Sequence, residues 1–337
     1  MSTAVARRFA IIGRPVDPLC HTLVGTTLAQ SGLKERTTLA TATLVIGANI
    51  PDVDAVSYFI GDALAFRRGW THGVLALAVW PFVLAAAMVF WDRVLRRFSP
   101  SRGQPPPDVG ELVRLSAIAV LTHPTLDFMN NYGMRWLMPF DDTWFYGDAL
   151  FIVDPLVWVT LALGTVISWR VSRRQRTRAA WTRPARLALA CAAVYTLSML
   201  ALGQFGRPVA RRAVEATGIQ LGADPMIAPV PGNPLRKSVI ADLGDGYYRS
   251  GFLWVPAPRL IPGPEVFPKS DEHPAVGQAM KTPEGRGFLS WSRFPFFLVE
   301  EAGDVYRVTL DDVRYAPPGG SSWAARVVLV PKAAVDE

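Results

Sequence analysis

Three of the four histidines in this 337-residue chain sit in short polar signatures at the mouths of apolar segments. They are Asp17-Pro-Leu-Cys-His21, Arg68-Gly-Trp-Thr-His72-Gly73 and His123-Pro-Thr-Leu-Asp127-Phe-Met-Asn-Asn131. A fourth signature, Pro51-Asp52-Val53-Asp54, lies between the first two. Imidazole and carboxylate are the common protein ligands of hydrolytic divalent metals, and ionisable groups are costly to hold beside hydrocarbon. The pattern therefore predicts a metal site at a bilayer surface.

Each signature also has an ordinary reading. His123 and Asp127 are four residues apart, which puts them on one face of a helix that Asn131 continues. Pro124 lacks a backbone N–H, so the helix is expected to start or kink there; a capping histidine beside an unrelated aspartate is the plain alternative. Asp52 and Asp54 flank Val53 and form the candidate catalytic pair, one binding metal and the other orienting a ligand or serving as base. Either could instead cap the next helix. His72 and His21 carry little weight alone. Asp154-Pro155 reads first as an N-cap with proline at the first helical position, and only secondarily as a further ligand. His273 falls in a proline-rich region and reads as exposed.

The elements that must position these residues are apolar. Half of the chain is hydrophobic, with near-uncharged runs at 73–91, 112–126, 149–169 and 187–205. The first carries no charge and is about long enough to cross a hydrocarbon core of ~30 Å; the second is short for a span. Only Cys20 and Cys191 are present, which excludes a disulfide framework. The N-terminus carries Arg7, Arg8 and Arg14 but no apolar core before Asp17, so no cleavable signal is expected.

The net charge of +7 does not indicate nucleic acid. Seven arginines and no acid lie between Arg170 and Arg186, and Arg93, Arg96, Arg97 and Arg102 cluster after Trp91. Both groups abut apolar runs, where arginines mark cytoplasmic loops. With those loops inside, His72, His123, Asp127 and Asp154 all fall at outer ends. Residues 19–33 and 37–50, joined by Lys34-Glu-Arg36, read as a short helical hairpin, re-entrant or packed inside the bundle, that brings His21, Asp52 and Asp54 to the same side.

Beyond Arg207, proline and glycine become frequent and period-two patterns replace long runs. Val239–Leu243, Tyr247–Val255, Phe288–Ser292, Phe296–Glu300, Val305–Leu310 and Ala324–Val330 read as strands, with Gly244-Asp-Gly246 and Glu301-Ala-Gly303 as hairpin connections. The expected architecture is a mainly α membrane helical bundle over residues 1–206 with a small extracytoplasmic β domain over 207–337.

The ordered set Asp17-Pro-Leu-x-His21-x3-Gly25, Pro51-Asp-x-Asp54, Trp70-Thr-His72-Gly73, His123-x3-Asp127-x3-Asn131-Tyr-Gly133, Leu137-x-Pro-Phe140 and Phe151-Ile-Val-Asp154-Pro resembles the bacterial membrane-bound metal-dependent hydrolase family. The match covers roughly residues 17–205. The order is also similar to zinc-dependent phospholipase C and its nuclease relatives. That similarity implies one metal site of Asp54, His72, His123 and Asp127, with His21 joining Asp127 at a second. Those enzymes add further His and Glu ligands downstream, whereas no histidine lies between His123 and His273 here.

These readings point to an inner-membrane hydrolase holding one or two divalent ions, preferentially Zn²⁺, whose activated water attacks a (phospho)ester in a lipid or lipid-linked substrate. A non-enzymatic scaffold or sensor whose β domain binds a partner is the alternative, and a transporter the third. A reporter fused after Arg178 is expected in the cytoplasm and one fused after Lys281 outside it; topology mapping that returned the reverse would invert the placement.

Overall fold

The computed structural model describes residues 17–59, 66–98, 104–174, 177–317 and 322–335. Arg7, Arg8 and Arg14 of the N-terminus, and Arg102 and Arg176 of the two arginine clusters, lie outside them. The chain is mostly helical with a C-terminal β-sheet region, and divides into two compact units. One comprises Asp17–Val56 and Arg67–Ala201; the other is built mainly from residues 202 onward.

The helical unit begins with α1 (Pro18–Gln30), capped by Asp17 with proline in its first turn. A 3-10 turn at Leu33–Glu35 leads to α2 (Ala40–Gly47), which packs beside α1. A second 3-10 segment, Ile50–Phe59, carries Asp52 and Asp54. Then come α3 (Val74–Phe98), α4 (Val109–Met129), α5 (Pro155–Arg173) and α6 (Arg178–Glu215), the last running on into the second unit.

Helices α3, α5 and α6 are long and apolar enough to cross a membrane. Val79, Phe82 and Phe90 on α3, Val159 and Leu163 on α5, and Leu187 and Val194 on α6 are exposed. Apolar surface on that scale is stable against lipid rather than water. Helix α4 differs. Leu112, Leu115, Ser116, Ala119, Val120, His123 and Asp127 are all buried, a stripe at three- and four-residue spacing. Its apolar part packs on α2, where Leu44, Ala48, Leu115 and Ala119 form one cluster, and its last two members are the candidate ligands. The helix neither starts nor ends at Pro124 but runs through it from an N-cap at Asp108.

In the second unit, β1 (Met226–Pro229), β2 (Arg236–Asp242), β3 (Gly246–Leu253), β4 (Arg259–Leu260) and β5 (Glu265–Pro268) form an antiparallel sheet in which β3 pairs with β2, β4 and β5. Alternation assigns its two faces. Ile227, Val239, Ala241 and Tyr248 pack on Ala210 and Val214 of α6, while Met226, Ile240 and Tyr247 pack on Phe296 and Val313. Phe296 belongs to a second sheet of β6 (Pro295–Ala302), β7 (Val305–Asp312) and β8 (Arg326–Pro331). Both proposed hairpin turns are present, with Gly244 and Gly303 at positive φ.

Two short helices, α7 (Pro274–Met280) and α8 (Pro283–Trp291), precede β6. The strand expected at Phe288–Ser292 is thus corrected to the end of α8. Thr282 accepts from the Gly285 N–H and Pro283 occupies the first turn, a start signal that outweighs the local period-two pattern. His273 is half-buried rather than exposed: its Nδ1 caps α7 and its ring packs edge-on against Tyr306.

One buried pair ties this unit together. Asp312 accepts from Arg314 Nε at 2.9 Å and Arg314 Nη2 at 2.8 Å, and from Ser292 Oγ at 2.6 Å. Burial opposes the carboxylate's charge, but the guanidinium overcomes it and holds the pKa below the ordinary value. This contribution is present above the unfolded carboxylate pKa of about 3.9 and fades as pH falls through the lower native value. Asp312→Asn is expected to cost about 3 kcal/mol and to flatten the acid side of the stability profile, read by thermal melts of detergent-solubilised protein between pH 3 and 7.

Candidate metal centre

The four signatures converge within the helical unit. His21 comes from α1, where its neighbours on the buried face are Cys20, Val24 and Gly25. Asp52 and Asp54 come from the 3-10 segment, His72 from the turn before α3, and His123 and Asp127 from the C-terminal end of α4. The His72 turn is closed by the His72 and Gly73 N–H groups, which donate to Gly69 O at 2.9 and 2.7 Å. Gly73 lies so close to the Met138 carbonyl that a Cβ there would overlap its oxygen.

One atom from each of Asp52, His72, His123 and Asp127 lies within 4.8 Å of the other three. His72 Nε2 and His123 Nε2 are 3.1 Å apart. Asp127 Oδ2 is 3.5 Å from each of them, and Asp52 Oδ1 is 3.9 Å from the first and 3.7 Å from the second. Ligand bonds of ~2.0–2.2 Å in a tetrahedral site imply neighbouring donor atoms about 3.4 Å apart. The observed spacings fit a single ion of that kind.

The hydrogen bonds behind these atoms strengthen the fit. His123 Nδ1 lies 2.7 Å from the Ala48 carbonyl, which can only accept, so Nδ1 carries the proton and Nε2 is left as an acceptor. His72 Nδ1 is 2.9 Å from Thr71 Oγ1 and 3.3 Å from Asp54 Oδ2; the carboxylate favours the same tautomer. Two bare imidazole nitrogens thus face each other and two carboxylate oxygens. Asp127 Oδ2 is buried and meets no hydrogen-bond donor among the described residues. Asp52 Oδ1 also faces Arg67 Nη1 at 3.1 Å; the other three acceptors turn on the same point and are mutually repulsive unless a cation lies between them.

Asp54 therefore stands one shell behind Asp52. Besides facing His72 Nδ1, it accepts the Arg68 N–H at 2.8 Å and pairs with Arg67, whose Nη1 also lies 3.1 Å from Asp52 Oδ1. His21 stacks on His123, with ring centroids 3.7 Å apart, and its Nε2 is 3.6 Å from Asp127 Oδ1. Asp154 lies outside the converging set. Its Oδ1 caps α5 through the Leu156 and Val157 N–H groups, and its Oδ2 accepts from Tyr195.

Asn131 does not continue the helical face of His123 and Asp127. Helix α4 ends at Met129, Asn130 is extended, and Asn131 is buried with its N–H on Leu150 O.

Two residues escaped sequence reasoning. Arg67 and Arg68 are 1 % and 3 % exposed and bind the site's carboxylates, although the signatures mark only their histidines and aspartates. The signal was available: an arginine pair at the end of the first apolar run opposite the arginine-rich loops runs against the positive-inside trend.

The fold and site define a class, a helical membrane protein with a buried histidine and aspartate cluster. The family model for the YdjM inner membrane protein matches residues 16–205, more than half of the chain, and the chain belongs to that family. It is also 26% identical over 125 residues to the Bacillus subtilis (strain 168) protein YfhP, described as uncharacterized. That alignment covers 36% of this chain and 34% of YfhP, so the chain spans about a third of that relative's length. No solved structure matches the chain.

The tight seat of Gly73 is open to direct test. Gly73→Ala is expected to push the Met138 segment away from the His72 turn and to destabilise the helical unit by about 1–3 kcal/mol, measured by thermal denaturation in detergent.

Proposed function

We propose that this protein is a multi-pass inner-membrane hydrolase that uses a divalent ion, preferentially Zn²⁺, to cleave a phosphoester in a lipid or lipid-linked substrate. In this reading residues 1–206 form the catalytic membrane bundle and residues 207–337 an extracytoplasmic β-rich domain. The observation that carries the proposal is the convergence of His72 Nε2, His123 Nε2, Asp52 Oδ1 and Asp127 Oδ2 at the spacing of one tetrahedral ion.

Asp52, His72, His123 and Asp127 are the proposed ligands, and the ion they hold supplies Lewis acidity toward water and an ester oxygen. The remaining groups prepare that seat. Asp54 and Thr71 orient His72, and the Ala48 carbonyl fixes the tautomer of His123. Asp52, whose side chain is 11 % exposed against 0–3 % for the other three, is the member best suited to take a proton from water through its second oxygen. Asp154 is left to a structural role by its cap and its Tyr195 bond.

A lipidic substrate is supported by an apolar groove of about 490 Å³ between α4, α5 and α6, whose lining includes Leu121, Leu126, Val157, Leu161 and Leu197. Leu126 and Val157 also line the small cavity at His21 and Asp127. An acyl tail in the groove therefore ends beside the polar cluster.

Protein purified in detergent is expected to retain zinc as wild type and to lose it in His72→Ala and His123→Ala. Asp54→Asn should weaken metal affinity about 10–100-fold without abolishing it. Release of 4-nitrophenolate from bis(4-nitrophenyl) phosphate should follow the metal content across the series. Equal and negligible metal in all four proteins would overturn the proposal.

A further inference from the structure

The His21 and Asp127 pair poses a question that the four-ligand cluster does not answer. His21 Nε2 and Asp127 Oδ1 are 3.6 Å apart, close to the donor spacing of a second ion sharing Asp127 with the first. That oxygen is already engaged: Arg68 Nη2 lies 3.0 Å from it, with both side chains 3 % exposed. We propose that the centre is mononuclear, and that the Arg68 guanidinium permanently occupies the place where His21 and Asp127 would otherwise hold a second cation. This rests on the metal reading above and narrows it.

Both terminal nitrogens of Arg68 and its backbone are held. Its Nη1 donates to Asn130 Oδ1 at 3.1 Å and to the Gly133 carbonyl at 3.0 Å, and the guanidinium lies 4.5 Å from the centre of the Tyr132 ring. Its backbone N–H donates to Asp54 Oδ2 at 2.8 Å, and its carbonyl accepts from the Arg135 N–H at 2.9 Å. The residue sits at φ 51°, the left-handed region that costs a non-glycine residue energy. A backbone fixed in that conformation aims one side chain at one carboxylate oxygen. This is a built position, unlike a surface arginine that settles on whichever acid is near.

Charge points the same way. Asp52, Asp54 and Asp127 carry three negative charges against the two positive charges of Arg67 and Arg68. One divalent ion turns the net charge of this set from −1 to +1, a sign that suits a phosphoester anion. A second ion would take it to +3 in a buried site, where unbalanced charge is severely penalised. Arg68 is thus a positioning residue: it neutralises Asp127 Oδ1 and leaves Oδ2 for the single ion. His21 contributes a stacked ring behind His123 rather than a ligand.

The test is metal stoichiometry. Protein in detergent is loaded with excess Zn²⁺, gel-filtered and analysed by mass spectrometry of the metal. Wild type and His21→Ala are each expected to hold one equivalent per chain. Arg68→Gly suits the left-handed backbone and opens the second seat, so it is expected to hold two, and Arg68→Gly with His21→Ala should return to one. Two equivalents in wild type, falling to one in His21→Ala, would overturn the proposal while leaving the metal reading intact. A folded Arg68→Gly that still holds one would overturn the role given to Arg68. No zinc in wild type would remove the metal reading itself. If Arg68→Gly fails to fold, wild type and His21→Ala alone decide between one ion and two.

Discussion

The helical unit depends on one electrostatic constraint: two buried carboxylates, Asp54 and Asp127, and a third that is largely covered, Asp52, stand together in a unit whose outer surface is largely apolar. Such groups persist only when each charge is answered at short range, because little water reaches them to do so. Arg67 answers Asp52 and Asp54 and Arg68 answers Asp127, and the arginine side chains are themselves buried. Once these pairs form, Asp127 Oδ2, the Nε2 atoms of His72 and His123, and Asp52 Oδ1, which Arg67 Nη1 also faces, converge on one point.

Much of the local architecture follows from that requirement. Helix α4 delivers His123 and Asp127 because its buried stripe of Leu112, Leu115, Ala119 and Val120 packs against the short hairpin helices. Small residues set the distance: Gly25 lies against the Leu44 backbone of α2, and Ala48 and Ala119 share one cluster. Close approach places the Ala48 carbonyl where it fixes the His123 ring. The His72 turn is pinned from the other side, since the Val74 N–H donates to the Trp136 carbonyl and the Arg135 N–H to the Arg68 carbonyl. The second unit is stabilised differently, by two sheets that share an apolar layer and by the buried Asp312 and Arg314 pair.

Strongly periodic or strongly punctuated features were legible in the sequence. The uncharged run from Gly73 to Trp91 became α3, the Asp17-Pro18 and Asp154-Pro155 signatures became helix caps, and the glycines at 244 and 303 became turns. Failures came where two local signals competed. Phe288–Ser292 alternates like a strand, yet the cap at Thr282-Pro283 begins a helix that absorbs it. Of the two readings of Pro124, a helix start is excluded, because the buried stripe around it carries α4 through from Asp108. Strands β1, β4 and β5 are too short to show a period, and their sheet partners define them.

For the site, the sequence by itself determined which residues were available: His21, His72, His123, Asp52, Asp54 and Asp127, each beside an apolar segment and each of a type that binds metals. Only the tertiary structure decided their order of contact. Asp52 turns an oxygen into the cluster while Asp54 turns to His72 Nδ1 and the arginines, although the two residues are two positions apart in the same 3-10 segment. The reason is physical. Residue type states what an atom can donate or accept, but a ligand set is a matter of a few ångströms between side chains from four distant segments, and those distances exist only once the helices have packed.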